Sequence, residues 1–213
     1  MRDAEADCSA DAVPSQAPPD GDLVDFAREF LAREAPALAQ VLLADWPDSR
    51  ARRAVAPHPL PVTRWLAAAA REAPAPARRL LGRLTALADS LAWRQTYTAS
   101  ELGAAFMHNY GWTEFVGPRG LAPSDRLACG ILVLGPHTEY PWHRHEAYEV
   151  YVPVAGTAEW QQGDRAWQLQ APATAIEHAS DVPHAMRTTV EPLVALYLWR
   201  SHDLTQSARL EAR

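Results

Sequence analysis

The sequence contains no lysine, and all 20 basic residues are arginine. Schiff-base chemistry and other covalent catalysis by a lysine amine are therefore excluded. Cysteine is almost absent as well, with Cys8 near the N-terminus and Cys129 inside the apolar run LACGILVL. These two residues support neither a disulfide framework nor a thiolate metal site, so we expect both to be reduced and unreactive.

Long apolar runs and clusters of positive charge are also missing. No stretch approaches the roughly 18 apolar residues of a membrane span, and the net charge of −6 offers no basic surface for nucleic acid. Residues 1–21 are acidic and rich in proline and lack the apolar core of a secretory signal. We expect a cytoplasmic protein with a disordered N-terminal arm over these residues.

The remaining chain divides into two halves that differ in the spacing of their apolar residues. Residues 22–109 show apolar side chains at helical spacing, with an Asp cap at residue 22, a break at Pro36, and further helices over 62–72, 77–97 and 100–108. Residues 110–213 consist of short β-like runs separated by Gly and Pro, with no alternation of strands and helices. The pattern predicts a mainly β protein, a sandwich or barrel preceded by a helical region.

Side chains that can bind metal are concentrated in HRHEAYEVYVPVAG, residues 143–156. If this stretch is one regular strand, His143, His145, Glu149 and Tyr151 project from the same face. A single His in a strand is most simply explained as a solvated residue at the edge of a sheet. Four such groups on one face call for another explanation, because a buried face would not normally carry them. The spacing indicates a site for a divalent metal ion, for which imidazole and carboxylate suit zinc, iron, manganese, nickel or cobalt.

A further ligand has to come from another part of the chain. His184 in DVPHAM is the best candidate, because it begins a strand at about the distance where an antiparallel barrel returns to the same region. His178 lies nearby in AIEHAS, but its neighbours suggest no partner for it. Three or four protein ligands leave open positions on the ion, which is typical of a catalytic site rather than a structural one.

Residues 135–156, GPHTEYPWHRHEAYEVYVPVAG, resemble the first cupin motif, whose positions are occupied here by Gly135, His143, His145, Glu149 and Gly156. Residues 172–186 resemble the second motif through Pro172 and His184, although its internal Gly is absent and Thr188 stands where Asn is usual. The resemblance implies a cupin fold, a double-stranded β-helix or jelly-roll barrel, over about residues 112–200.

Within the cupins, Tyr140, Tyr151 and the PHAM sequence around His184 are most similar to bacterial dimethylsulfoniopropionate lyases. That family has a helical N-terminal region and uses a divalent metal and a tyrosine base to release dimethyl sulfide and acrylate. By matching position, His145, Glu149 and His184 would be metal ligands, with His143 a ligand or near neighbour. Tyr151 would be the base, and Tyr140 a second active-site tyrosine.

The residues suit this chemistry. A Lewis-acid metal on the substrate carboxylate lowers the free energy of the enolate-like charge that develops on proton removal, and a nearby cation favours a tyrosinate. The departing sulfonium is a cation that accepts no strong hydrogen bond, so aromatic faces suit it. The β half supplies five candidates for this role, although each is also an ordinary packing residue: Trp142, Trp160, Trp167, Tyr197 and Trp199.

Two other functions remain open at this stage. A cupin dioxygenase or isomerase acting on another small carboxylate would use the same His and Glu ligands with non-heme iron. A non-catalytic cupin that binds a small ligand would also fit, although Tyr140 and Tyr151 beside the site argue against it. The sequence leaves the metal and the oligomeric state open, and a homodimer is compatible with it.

Overall fold

The structure is a computed structural model that describes residues 22–48 and 51–212. The N-terminal arm predicted over residues 1–21, including Cys8, lies outside the described residues. Cys129 is a free, buried cysteine on a strand, and burial raises the pKa of its thiol. It therefore stays protonated and fills core volume.

Five α-helices and several short 3-10 turns make up most of the described residues between 22 and 109. The first two, α1 and α2, are separated by the predicted break: α1 ends before Ala35, and Pro36 begins α2. Asp22 caps α1, where its carboxylate accepts a hydrogen bond of 3.0 Å from the Asp25 amide. The helices are α1 Leu23–Glu34, α2 Pro36–Leu42, α3 Leu66–Glu72, α4 Arg78–Leu87 and α5 Ala99–Asn109.

The helix predicted over residues 77–97 is wrong beyond Leu87. A 3-10 turn over Ala88–Ser90 ends it, and the buried Trp93 indole donates 2.9 Å to the Ala88 carbonyl. The chain then runs extended, and Arg94 exchanges two backbone hydrogen bonds with Trp112 on the first strand. Pairing with the sheet replaces the helix that the local pattern favours, a tertiary effect that periodicity does not report.

The second half forms two five-stranded antiparallel sheets, in the orders β1-β2-β9-β4-β7 and β10-β3-β8-β5-β6. This confirms the predicted fold class, a cupin-type β-barrel preceded by helices. The strands are β1 Tyr110–Val116, β2 Ala128–Leu134, β3 Glu139–Arg144, β4 Tyr148–Ala155, β5 Ala158–Gln162, β6 Gln168–Gln170, β7 Ile176–His178, β8 His184–Thr188, β9 Leu193–Arg200 and β10 Arg209–Leu210.

The metal-capable stretch of residues 143–156 is not one strand, as its alternation suggested. His143 lies in β3, His145 lies in the connection after it, and Glu149 and Tyr151 lie in β4. The two strands belong to different sheets. The chain therefore crosses from one sheet to the other between the histidines and Glu149, and the crossing turns both sets of side chains into the space between the sheets.

The helices cover the outer face of the first sheet. Alternate residues of β4 and β9, such as Val152 and Leu196, pack against them in one buried cluster, while Tyr151 and Tyr197 belong to a second cluster between the sheets. Both faces of these strands are covered, which explains why β2 and β9 are almost continuously apolar. The same alternation directs Glu149 and Tyr151 into the barrel. In the described part of the chain, no helix has the length and apolarity of a membrane span.

Gly156 closes the turn after β4 with a φ of 78°. A side chain there would collide with the Pro192 carbonyl oxygen. We expect Gly156→Ala to lower the free energy of unfolding by about 2 to 4 kcal/mol, from the strained backbone and the collision together. Urea denaturation measures this difference.

Gly163 provides the matched control, since its φ is also positive, at 49°, but nothing lies within 4 Å of an added Cβ. Gly163→Ala should therefore show only the smaller backbone effect. Equal losses in the two variants would contradict the proposed collision.

Candidate metal centre and its cavity

Three buried side chains converge between the sheets and form what we call the His–Glu cluster: His145, Glu149 and His184. One nitrogen or oxygen atom from each lies within 4.8 Å of the others. The Nε2 atoms of His145 and His184 are 3.0 and 3.3 Å from Oε2 of Glu149. His145 comes from the β3–β4 connection, Glu149 from β4 and His184 from the start of β8, so both sheets contribute.

Backbone carbonyls fix the orientation of the imidazole rings. Nδ1 of His145 is 2.9 Å from the Ala147 carbonyl, and Nδ1 of His184 is 2.9 Å from the Val182 carbonyl. A carbonyl only accepts, so each Nδ1 carries the hydrogen and each neutral ring turns the lone pair of Nε2 towards the carboxylate. The arrangement matches the second-shell hydrogen bonding of metal-bound histidines.

Acceptors that face one another in a buried space require a proton or a metal cation between them. Nε2 of His184 is buried and has no hydrogen-bond partner. Burial opposes ionisation of Glu149, but the positive charge that His145 and His184 provide when they carry that proton outweighs burial and holds the pKa of Glu149 well below its ordinary value. Two nitrogens and a carboxylate oxygen form a donor set for a divalent transition metal or zinc, so these residues fit the ion that the sequence predicts.

His143 lies beside the cluster. Its ring stacks on Tyr140 with centroids 3.9 Å apart, and its centroid lies 4.2 Å from that of His184. The Pro141 carbonyl accepts from its Nδ1 at 2.8 Å, so its Nε2 also carries a lone pair. Burial lowers the pKa of His143 well below its ordinary value, which keeps the ring neutral. The structure thus places it as a neighbour of the three closest groups.

His178 was left without a partner in the sequence analysis, but it packs against the site. Its ring is buried and stacks on His184 at 3.9 Å, because β7 pairs with β4 in a register that sets His178 opposite Glu149. The Gln162 amide donates 2.7 Å to the Glu177 carbonyl and is 3.1 Å from Nδ1 of His178. An amide donor at Nδ1 places the His178 hydrogen on Nε2, the opposite tautomer, and that atom is buried without a hydrogen-bond partner. The contact of His178 with the site is therefore the stacking of its ring on His184.

Trp199 orients the carboxylate of Glu149. Its indole N–H donates 2.5 Å to Oε1, which leaves Oε2 facing the two histidines, and its ring centroid lies 4.4 Å from that of His145. The sequence offered Trp199 only as a candidate for cation binding. Its role beside Glu149 depends on the pairing of β4 with β9, in which the two residues are opposite each other.

A cavity of about 230 Å³ opens onto the cluster and is lined by Tyr140, Tyr151, Tyr197 and Trp199, among others. Tyr151 is buried, and burial together with the nearby charge of Glu149 raises its pKa well above the ordinary value. Tyr140 donates 3.3 Å to the Tyr97 hydroxyl and lies 3.5 Å from that of Tyr110. The hydroxyl of Tyr140 is thus already engaged in a group of buried tyrosines.

The five aromatic candidates for cation binding differ in whether they line the cavity. Tyr197 and Trp199 line the cavity, whereas Trp142 does not. Trp160 is buried near Tyr151, with ring centroids 6.3 Å apart. The Arg187 guanidinium lies 4.3 Å from the centroid of Trp167, away from the cluster. Trp142, Trp160 and Trp167 are therefore not among the residues that line this cavity.

The hydrogen bond from Trp199 leads to a testable prediction. Trp199→Phe keeps an aromatic ring against His145 but removes the N–H that holds Glu149. We expect the affinity for a divalent metal to fall by about 10- to 100-fold, the usual effect of losing a second-shell partner. Competition with a chromophoric chelator measures this. Trp167→Phe is the matched control, and equal metal affinity in both variants would contradict the role of Trp199.

Comparison with known proteins gives a consistent result. The family model for dimethylsulfoniopropionate lyase matches residues 35–195. Dimethylsulfoniopropionate lyase DddQ of Ruegeria pomeroyi is 38% identical over 108 residues, 51% of this chain and 54% of that protein. Putative dimethylsulfoniopropionate lyase DddL of Cereibacter sphaeroides is 31% identical over 122 residues, 56% of this chain and 50% of that protein. The chain thus spans about half the length of the curated relatives it matches.

Solved structures extend the similarity over most of the chain. The crystal structure of DddQ from Ruegeria pomeroyi superposes with a TM-score of 0.78 at 31% identity, covering 88% of this chain and 95% of that one. A chain from a crystallographic study of the lyases RdDddP and RnDddQII superposes with a TM-score of 0.77 at 30% identity, covering 89% and 96%. The helical region and the barrel are therefore shared together.

Proposed function

Because the chain belongs to the dimethylsulfoniopropionate lyase family, we propose that it cleaves dimethylsulfoniopropionate to dimethyl sulfide and acrylate by β-elimination. His145, Glu149 and His184 hold a divalent metal ion, and Tyr151 is the general base. The observation that supports this best is the position of Tyr151. It lies two residues after Glu149 on the inner face of β4, in the cavity that opens onto the cluster.

When bound by the three ligands, a divalent cation supplies positive charge that stabilises the enolate-like substrate carboxylate and favours the phenolate of Tyr151. Tyr151 removes the proton from the carbon next to the carboxylate. The electron pair of that C–H bond forms the new C=C bond, and the C–S bond breaks with its pair remaining on sulfur. Dimethyl sulfide and acrylate leave, and the proton stays on the Tyr151 oxygen until it passes to solvent.

The rest of the cavity supports this chemistry in two ways. Aromatic walls and the C-terminal segment around Leu204 and Ala208 enclose the substrate and limit water at the cluster. Tyr140 stacks on His143 and its hydroxyl is held by Tyr97, whereas the Tyr151 hydroxyl interacts directly with the ligand Glu149, so we assign the base to Tyr151. We propose Tyr140 as an active-site residue that positions substrate and the neighbouring imidazole.

Product analysis under nitrogen tests the proposed reaction. Purified, metal-loaded protein is incubated with dimethylsulfoniopropionate, headspace dimethyl sulfide is measured by gas chromatography, and acrylate is measured in solution. A sample without protein corrects for spontaneous elimination in base. We expect equimolar products without oxygen, since elimination consumes none. Substrate loss that requires oxygen and yields no dimethyl sulfide would instead indicate a dioxygenase.

A further inference from the structure

Two carboxyl side chains are buried in the described part of the chain, and both line the same cavity: Glu149 in the His–Glu cluster and Glu114 on β1. The mechanism above gives Glu114 no role. Only 6% of Glu114 is exposed. Taking a carboxylate out of water is unfavourable unless a partner compensates, so its position beside a ligand cavity calls for a chemical reason.

Glu114 belongs to a row of residues that crosses the first sheet. It is paired with Gly130 on β2, Gly130 with Tyr197 on β9, and Tyr197 with Tyr151 on β4. At the usual spacing between strands the row spans about 14 Å from Glu114 to Tyr151, with Tyr197 between them. The cavity therefore has the proposed base and the cluster towards one end, and a second buried carboxylate at the other.

Gly130 allows Tyr197 to lie across this row. A Cβ at position 130 would come within 2.7 Å of the Tyr197 hydroxyl oxygen, so only glycine leaves room for that oxygen over β2. The Tyr197 hydroxyl is buried and has no hydrogen-bond partner, although its residue lines the cavity and is 7% exposed. A buried polar atom without a partner beside a cavity indicates a ligand that contacts it.

Trp112 forms the adjacent wall. Its ring stands edge-on to Tyr197, with centroids 6.1 Å apart, and its indole N–H donates 3.2 Å to Thr96. The N–H is therefore engaged away from Tyr197. Two electron-rich aromatic rings and a carboxylate thus line the same end of the cavity.

Glu114 has a backbone donor at one carboxylate oxygen and a guanidinium near the other. Its Oε1 accepts 2.5 Å from the Arg119 amide, and the Arg119 guanidinium is 3.8 Å from its Oε2. That guanidinium donates to the Leu204 and Thr205 carbonyls at 3.1 and 2.7 Å, so it is held by the C-terminal segment. Arg94 also lines the cavity, but it is exposed at the surface, where solvent screens its charge. Burial raises the pKa of Glu114, and the two arginines oppose this effect.

We propose that Glu114, Tyr197 and Trp112 form a head-group subsite that binds the cationic sulfonium of the substrate. This inference rests on the proposed function, since it assumes a zwitterion whose carboxylate lies at the cluster. A sulfonium offers no lone pair for strong hydrogen bonding, so recognition depends on opposite charge, ring faces and the free phenol oxygen. With the carboxylate and the cation held at opposite ends, the carbon that loses its proton lies beside Tyr151.

The test compares two unreactive ligands of the same shape that differ in charge. 3-(Trimethylammonio)propanoate carries a cationic head, and 4,4-dimethylpentanoate replaces the nitrogen with carbon and is neutral there. Dissociation constants for both are measured by calorimetry at pH 8 on metal-loaded protein. Their ratio isolates recognition of the cation, because the carboxylate end is identical in the two ligands.

Wild-type protein should bind the cationic ligand more tightly than the neutral one. Glu114→Gln keeps the acceptor for the Arg119 amide but removes the charge, and it should lower the preference by about tenfold. Trp112→Leu should lower it by about two- to fivefold, through loss of the ring face. Glu159→Gln, which breaks a half-buried ion pair with Arg187 that does not line the cavity, is the matched control and should leave the ratio unchanged.

An equal or reversed preference in wild-type protein, or no binding of either ligand, would overturn the subsite. An unchanged ratio in both Glu114→Gln and Trp112→Leu would overturn it too. The proposed reaction fails separately: if wild-type protein releases no dimethyl sulfide but shows the preference and loses it in Glu114→Gln, the cation subsite stands without the lyase activity. If the protein releases dimethyl sulfide but the ratio of the two dissociation constants is unchanged in Glu114→Gln and Trp112→Leu, the subsite is wrong and the lyase activity stands.

Discussion

Replacing Tyr151 with Phe is expected to lower kcat for dimethyl sulfide release by about two to four orders of magnitude, the usual contribution of a positioned general base. The change removes one oxygen and keeps a ring that is buried on the inner face of β4. Packing against Trp160 and His178 is therefore retained. Metal content should change much less than kcat, because His145, Glu149 and His184 remain in place.

Tyr148→Phe is the matched control, since Tyr148 lies on the same strand but its hydroxyl donates to Glu177 at an exposed position. It should retain near-normal turnover. Tyr140→Phe separates the two active-site tyrosines. If Tyr140→Phe abolishes turnover while Tyr151→Phe keeps it, the base is Tyr140; if neither change matters, the proposed elimination mechanism is wrong.

Replacing His184 with Ala should remove metal and activity together. His184 supplies the one buried imidazole nitrogen of the cluster that has no hydrogen-bond partner, and Glu149 would be left with a single histidine. We expect metal affinity to fall by more than about a hundredfold, a greater loss than that of an outer-shell partner. Elemental analysis after gel filtration and a lyase assay without added metal measure the two effects.

His202→Ala is the control for this experiment, because His202 is exposed and belongs neither to the cluster nor to the lining of its cavity. Circular dichroism verifies that both variants are folded. Undiminished metal in folded His184→Ala would contradict the proposed ligand set, and loss of metal without loss of activity would separate the ion from the reaction.

The sequence predicts the fold class well because cupin motifs combine local signals with fixed spacing. Short apolar runs between turns define most strands, and the Pro-His pair at residues 183 and 184 identifies the start of β8. The helix predicted over residues 77–97 fails for the opposite reason: its end depends on pairing of Arg94 with Trp112, which no local pattern reports.

The candidate site likewise contains some residues that the sequence alone identifies and others whose roles only the structure reveals. His145, Glu149 and His184 could be selected from sequence because metal-binding side chains are unusual on an apolar strand, and the structure brings them together. The roles of His178, Trp199 and Glu114 depend on strand register, since each faces its partner only after β7, β9 and β1 are aligned with their neighbours. Register is set by the whole sheet and is not visible in any one segment.

Titration of metal into metal-free wild-type protein tests the central claim most directly. A divalent ion is added in steps to protein treated with a chelator, and the initial rate of dimethyl sulfide release is measured at each step. If the His–Glu cluster holds the ion that supports elimination, the rate rises in proportion to bound metal and reaches a plateau at about one ion per chain. Full activity in metal-free protein, or no dimethyl sulfide at any loading with any of the five candidate metals, would contradict it.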